Sequence, residues 1–318
     1  MSKDFLPDKA ITAENLNEGP DEPTFSGITS FLRRKYTKDL NGVDIAVTGL
    51  PLDMATTGRP GARFGPRGIR AASTSIAWGE PFPWGANPFE TLSVIDYGDC
   101  GFPQGEPQAV PGRIKEHIAR IVDAGALPLS LGGDHFVTYP VLKALAAKHG
   151  PISLIHFDAH SDTWAEDKER LDHGTMFYHA AKTGLIDPTR SVQIGLRTHN
   201  EDSMGFTILD APQVHHAGID ETVSSIQKTV GRHPVYITFD IDCLDPAFAP
   251  GTGTPVPGGL SSAQALGIIR GLTDLNYTGF DVVEVAPSYD HAEITALIGA
   301  QIAMEYICLV ADGRSDKH

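Results

Sequence analysis

Three short apolar runs in this chain each end in a polar, metal-suited motif. Gly132-Gly133-Asp134-His135 follows Leu127–Leu131, Asp158-Ala159-His160-Ser161-Asp162 closes Ile152–Phe157, and Asp240-Ile241-Asp242 closes Val235–Phe239. Runs that are apolar throughout, rather than alternating, suit strands buried on both faces of a parallel sheet. Further runs of this kind are Val43–Leu50, Ser93–Tyr97, Val192–Leu196, Thr207–Leu209 and Asp281–Val285. Helical segments lie between them. Arg113–Ala124 stops at Gly125, Val137–His149 stops at Gly150, Ser261 with Gln264 forms a capping-box pattern, and Glu293–Leu309 supplies a C-terminal helix. This alternation predicts an α/β fold: a three-layer α/β/α sandwich on a mostly parallel sheet of about eight strands. Residues 1–40 read as a polar arm, with Phe25, Ile28, Phe31 and Leu32 as its apolar cluster, and 41–318 as one catalytic domain.

In open parallel sheets, ligands bind beyond the carboxyl ends of the strands. The motifs fall there. Along an extended chain Asp158, His160 and Asp162 project to one side, and Asp240 and Asp242 do the same. Two strand ends then aim five ligands into one space, and His135 adds a sixth. Carboxylates packed together repel without a cation. The set therefore predicts two divalent metals, which make a nucleophile from water at neutral pH. Oxygen-rich ligands suit Mn²⁺. His156 has the parity of Asp158 but lies deeper, as a hydrogen-bonded core histidine.

The formal charge of −15, from 40 acidic and 25 basic residues, excludes a polyanionic partner such as nucleic acid and favours a cationic small molecule. No stretch reads as long and apolar enough to span a membrane. Three cysteines without a paired spacing, and an N-terminus with no apolar leader, predict free thiols in the cytoplasm.

From about Gly49 to Pro287 the chain resembles the ureohydrolases: arginases, agmatinases, guanidinobutyrases and their relatives. Carrying the resemblance, besides the metal motifs, are Arg59-Pro60-Gly61-Ala62-Arg63-Phe64-Gly65-Pro66, Phe239–Pro246, Ala249–Pro255 and Glu284-Val285-Ala286-Pro287. The resemblance implies an arginase-like fold, two Mn²⁺ per subunit, a small cationic guanidino substrate, urea as product, and a homotrimer or homohexamer. It assigns one metal to His135, Asp158, Asp162 and Asp240, and the other to Asp158, His160, Asp240 and Asp242. Asp162 becomes the first proton carrier and His173 the proton-shuttling histidine. Glu284 grips the guanidinium, and Trp164 lines the pocket. Met54-Ala55-Thr56, Asp172–Tyr178 and Glu293–Ala296 look most like agmatinases. Glu166, Asp167 and Glu169 would suit an amine tail. Guanidinobutyrase, guanidinopropionase, a formimino-hydrolase and a non-catalytic regulatory homologue are the rival expectations.

Overall fold

The computed structural model describes residues 8–103, 105–165 and 170–315. Strands β1 (Ile45–Leu50), β2 (Val94–Asp99), β3 (Leu127–Gly132), β4 (Ser153–Phe157), β5 (Val192–Ile194), β6 (Thr207–Leu209), β7 (Pro234–Asp240) and β8 (Asn276–Val283) form one sheet. Its order is β2-β1-β3-β8-β7-β4-β5-β6, and every neighbouring pair is parallel. The helices are α1 (Lys9–Thr12), α2 (Gly65–Ser73), α3 (Val110–Asp123), α4 (Thr138–His149), α5 (Met176–Lys182), α6 (Ala211–Val230), α7 (Ser262–Gly271) and α8 (Ile294–Ser315).

Alternation along the strands feeds two cores. Val235, Ile237 and Phe239 of β7 join Ile69 of α2, Ile226 of α6, Ile268 of α7 and Ile302 of α8 on one face. Tyr236 points the other way, into the core holding Ile114 and Ile118 of α3 and Leu142 of α4. The sheet is thus sandwiched between two helical layers. Fully burying one such side chain stabilises by roughly 1.5–3 kcal/mol, so two packed faces outweigh weak local propensity.

Three sequence expectations need correction. The last strand was expected over Asp281–Val285, but it starts earlier and stops at Val283. Glu284 has φ +62°, a left-handed conformation that ends the extended chain. α6 was not anticipated: Pro212 sits in its first turn and Gly218 breaks its helical dihedrals, which hides the periodicity. Finally, Ile294–Arg314 is 21 residues and apolar enough to cross a membrane, contrary to the sequence reading. It is 78% buried within the protein over its most apolar stretch, with Ile302, Tyr306 and Ile307 fully covered. A helix apolar on all sides is also what a core helix looks like.

The segment before β1 lies on this body. Phe31 and Leu32 are fully buried, whereas Phe25 and Ile28 of the expected cluster are 89% and 40% exposed. The Phe31 amide donates to Asp96 Oδ2 at 2.7 Å, and the Leu32 amide to Ser73 Oγ at 2.8 Å. Asp96 is fully buried and is gripped by Arg70 of α2 through Nε at 2.7 Å and Nη2 at 3.0 Å. Arg70 also reaches Asp99. This fork joins α2, β2 and the N-terminal segment. Arg70→Met should leave Asp96 buried without its cation and cost about 3–5 kcal/mol in urea unfolding. A cost near zero would mean that Asp96 is held by the backbone amides alone.

Candidate metal centre and active site

The polar motifs meet beyond the carboxyl ends of β3, β8, β7 and β4, four adjacent strands at the centre of the sheet. After β3, Gly133 threads between β1 and β8. A Cβ there would sit 1.8 Å from Leu52 O, so only glycine permits the approach. Its N–H donates to Leu50 O and its carbonyl accepts the Glu284 amide, both at 2.8 Å. His135 follows in a short 3₁₀ turn.

Strand alternation does not aim the other ligands. Asp158 and Asp240 each turn the chain by accepting a backbone amide two residues on: His160 N–H to Asp158 Oδ1 at 2.6 Å, and Asp242 N–H to Asp240 Oδ1 at 2.8 Å. Asp242 lies in a 3₁₀ turn, Ile241–Cys243, and Asp162 has φ +51°. Aspartate is suited to such turns because its carboxylate can reach its own backbone. The expected convergence occurs, through turns rather than through extended chain.

All six expected metal ligands come together. His135 Nδ1 lies 3.0 Å from Asp158 Oδ2, 3.0 Å from Asp162 Oδ2 and 3.3 Å from Asp240 Oδ2. His160 Nδ1 lies 3.3 Å from Asp158 Oδ1 and 3.1 Å from Asp242 Oδ2. Asp158 thus faces both histidines. His156 is also within reach, but both its nitrogens are used by protein. Gln193 Nε2, fixed by Ser161 O at 2.6 Å, donates to Nδ1 at 3.0 Å, so Nε2–H points to Asp158 Oδ2 at 2.7 Å. His156 orients Asp158.

The charge balance calls for cations. Burial and neighbouring carboxylates raise the pKa of Asp162, Asp240 and Asp242. Against its own burial, Asp158 is held well below the usual range by His156, His135 and His160. Burial opposes a charge on His160, yet Asp158 and Asp242 push it up to about 12. The three carboxylates would likewise draw a proton to His135 despite its burial. None of their oxygens, however, lies where an Nδ1–H would point, and Nδ1 has no hydrogen-bond partner among the described residues. Its other nitrogen explains this. Thr238 Oγ1 donates to Asp281 Oδ1 at 2.6 Å, so it accepts Nε2–H from His135 at 2.8 Å. Nδ1 then carries a bare lone pair with three carboxylate oxygens around it but off its axis, an arrangement that a divalent cation between them satisfies and a proton does not. The residues fit a metal.

Beside this cluster is a cavity of about 240 Å³, lined by Thr57, His160, Asp162, Trp164, His173 and Asp240 among others. Trp164 forms one wall, its ring 6.0 Å from that of His160. Glu284 is 1% exposed. Its Oε1 accepts the His135 amide at 2.9 Å and faces His173 Nδ1 at 2.9 Å. Its Oε2 is buried without a partner among the described residues. The expected acidic residues Glu166, Asp167 and Glu169 lie outside the described residues.

A sequence profile of the Arginase family matches residues 43–308. The chain belongs to the arginase family. It is 57% identical over 305 residues to an agmatinase of Chromobacterium violaceum, covering 95% of each chain. Among solved structures, a hypothetical agmatinase from Burkholderia thailandensis superposes with a TM-score of 0.95 at 55% identity, covering 97% of this chain and 99% of that one. Proclavaminate amidino hydrolase from Streptomyces clavuligerus superposes with a TM-score of 0.87 at 38% identity, covering 92% and 100%.

Several residues of this arginase-family site were not anticipated. Thr238 stands two places before Asp240 on the same strand, so strand parity could have exposed it. Asp281 is a carboxylate inside the apolar run of β8, and a buried charge needs partners. It takes hydroxyl protons from Thr238, Thr138 and Tyr236. Thr57 comes from a loop where nothing in the local pattern marks it, and Thr254 lies in Ala249–Pro255, a segment that carries the resemblance without pointing to this residue. Thr254 Oγ1 reaches Asp242 Oδ2 at 3.2 Å. Asp158→Asn should remove the shared ligand and weaken metal binding at least about tenfold to a hundredfold, read as metal retained after Mn²⁺ loading and dialysis. Undiminished metal would show that Asp158 bridges nothing.

Proposed function

We propose that this chain is an agmatinase, a hydrolase of linear amidine C–N bonds that converts agmatine and water to putrescine and urea. The observation that carries this reading is the Glu284 Oε2 atom, buried beside the His/Asp cluster and unpartnered among the described residues. A buried carboxylate oxygen without a donor is costly. A guanidinium supplies planar paired N–H groups that match a carboxylate and would fix its carbon toward the cluster. Relatives at 57% and 55% identity carry the name agmatinase.

His135, Asp158, Asp162 and Asp240 would hold one ion, and Asp158, His160, Asp240 and Asp242 the other. Mn²⁺ is our assignment for both, because the donor set is rich in oxygen. Bound there, the pair makes water nucleophilic at neutral pH. The reaction R–NH–C(NH₂)₂⁺ + H₂O → R–NH₃⁺ + CO(NH₂)₂ places both water protons on the departing nitrogen. Asp162, buried at the cavity wall, takes the first proton; His173 carries protons toward the departing amine. Glu284 holds both His173 Nδ1 and the substrate. Trp164 narrows the cavity and excludes water.

Arg170 also lines the cavity, which is the observation favouring a guanidino acid such as guanidinobutyrate. Its charge is matched by Asp172 at 2.7 Å, so it leaves room for an amine tail. We place the enzyme in the cytoplasm as a homotrimer or homohexamer; three buried unpaired cysteines accord with a reducing compartment.

Urea release from agmatine, 4-guanidinobutyrate, 3-guanidinopropionate and arginine tests the substrate. Agmatine should lead in kcat/KM by about a hundredfold. Preference for a carboxylate-tailed guanidine would overturn the assignment. Glu284→Gln should lose roughly 10²–10³-fold in kcat/KM with its metals retained; normal kinetics would remove Glu284 from substrate binding.

A further inference from the structure

His173 is 8% exposed and is held from two sides. On one side Nδ1 meets Glu284 Oε1. On the other, Nε2 accepts the backbone N–H of Thr57 at 3.0 Å and lies 2.9 Å from Thr57 Oγ1. Thr57 sits in the loop between β1 and α2. That loop is fixed by the Ala55 amide on Asp134 Oδ2 at 2.8 Å, and Ala55 O in turn takes the His173 amide.

An amide N–H can only donate. Where it points at Nε2, that nitrogen is bare and the ring proton is on Nδ1, directed to Glu284. The Thr57 amide therefore selects the neutral Nδ1–H tautomer. A proton arriving on Nε2 would face the same amide. The atom placed to receive it is Thr57 Oγ1, which is able to accept while its own proton turns toward the cavity that both residues line.

We propose that Thr57 is a positioning residue for proton transfer through His173: its amide holds the neutral tautomer and its hydroxyl accommodates the protonated ring. The inference rests on the reading of His173 as proton carrier. Each transfer brings one proton on to Oγ1 from Nε2 and sends one off toward the departing amine or water, so the hydroxyl stays neutral. A carrier must visit both protonation states, and one residue serves both.

Among the described residues, the charged groups around His173 are Glu284 after β8, Asp162 after β4 and Asp134 after β3, with His160, Asp240 and Arg170 on the same cavity wall and Asp172 paired to Arg170. Burial pushes the ring's pKa down, but Glu284, Asp162 and Asp134 raise it to about 9. Removing the hydroxyl takes away the acceptor of the charged form, so the pKa should fall.

The test compares wild type with Thr57→Val, Thr57→Ala and Thr57→Ser. In ¹⁵N-histidine-labelled protein loaded with diamagnetic Zn²⁺, wild type should show His173 as the Nδ1–H tautomer when neutral. Valine and alanine should lower its protonation midpoint by about one unit, and serine should restore it. With Mn²⁺ and agmatine, valine should lower kcat about tenfold with KM unchanged, serine should recover it, and valine should add nothing in a His173→Ala background. An unmoved midpoint, failure of serine to rescue, or an equal loss without His173 would overturn the proposal. No urea from wild-type enzyme would overturn the functional reading instead, and the histidine titration would still decide the role of Thr57.

Discussion

Four carboxylates, Asp158, Asp162, Asp240 and Asp242, are each at most 5% exposed and crowd two histidines at the centre of the sheet. Two like charges about 4 Å apart repel by about 4 kcal/mol at the effective dielectric of a protein site. Several such pairs rival the net stability of a domain, about 5–15 kcal/mol. Backbone amides on Asp158, Asp240 and Asp242 and the Thr254 hydroxyl offset only part of this repulsion. Thr238 and Asp281 strip His135 Nδ1 of its proton, and His156 uses its proton to steady Asp158. The protein has spent its buried hydrogen bonds on presenting lone pairs, which makes sense only if a cation receives them.

The rest of the fold serves that presentation. Parallel strands end together at one edge, and the four central ones each deliver a turn carrying members of the His/Asp cluster or Glu284. Two apolar layers and the Arg70–Asp96 fork hold the sheet stiff enough to keep those turns in register. Glu284 links the parts. It accepts the His135 amide and faces His173, and its other oxygen has no partner among the described residues. Its left-handed backbone ends the extended chain of β8 at the edge of the cluster.

Much of this was legible in the sequence because strand ends and metal ligands coincide. Continuous apolar runs marked the buried strands, and the motifs after three of them marked the site. The reason given for their convergence was wrong in detail: Asp158 and Asp240 work through turns they cap themselves, and alternation plays no part beyond the strands. α6 escaped because Pro212 and Gly218 interrupt its pattern, although its capping box, Asp210 with Gln213, was readable. α8 was readable as a helix, but its uniform apolarity did not reveal that α2 and α7 would cover it. Thr57 was out of reach, since its partner His173 lies 116 residues away and only the tertiary fold joins them.

The most direct test of the central claim is the number of divalent ions bound per chain when stripped protein is titrated with Mn²⁺, followed by calorimetry with proton release. Two ions per chain, with protons displaced from the cluster and a gain in thermal stability, would be the result of lone pairs and carboxylates built around a metal pair. A folded protein that binds no ion, or binds one without proton release, would mean that the buried cluster is neutralised by protons alone, and the account of the site would fail.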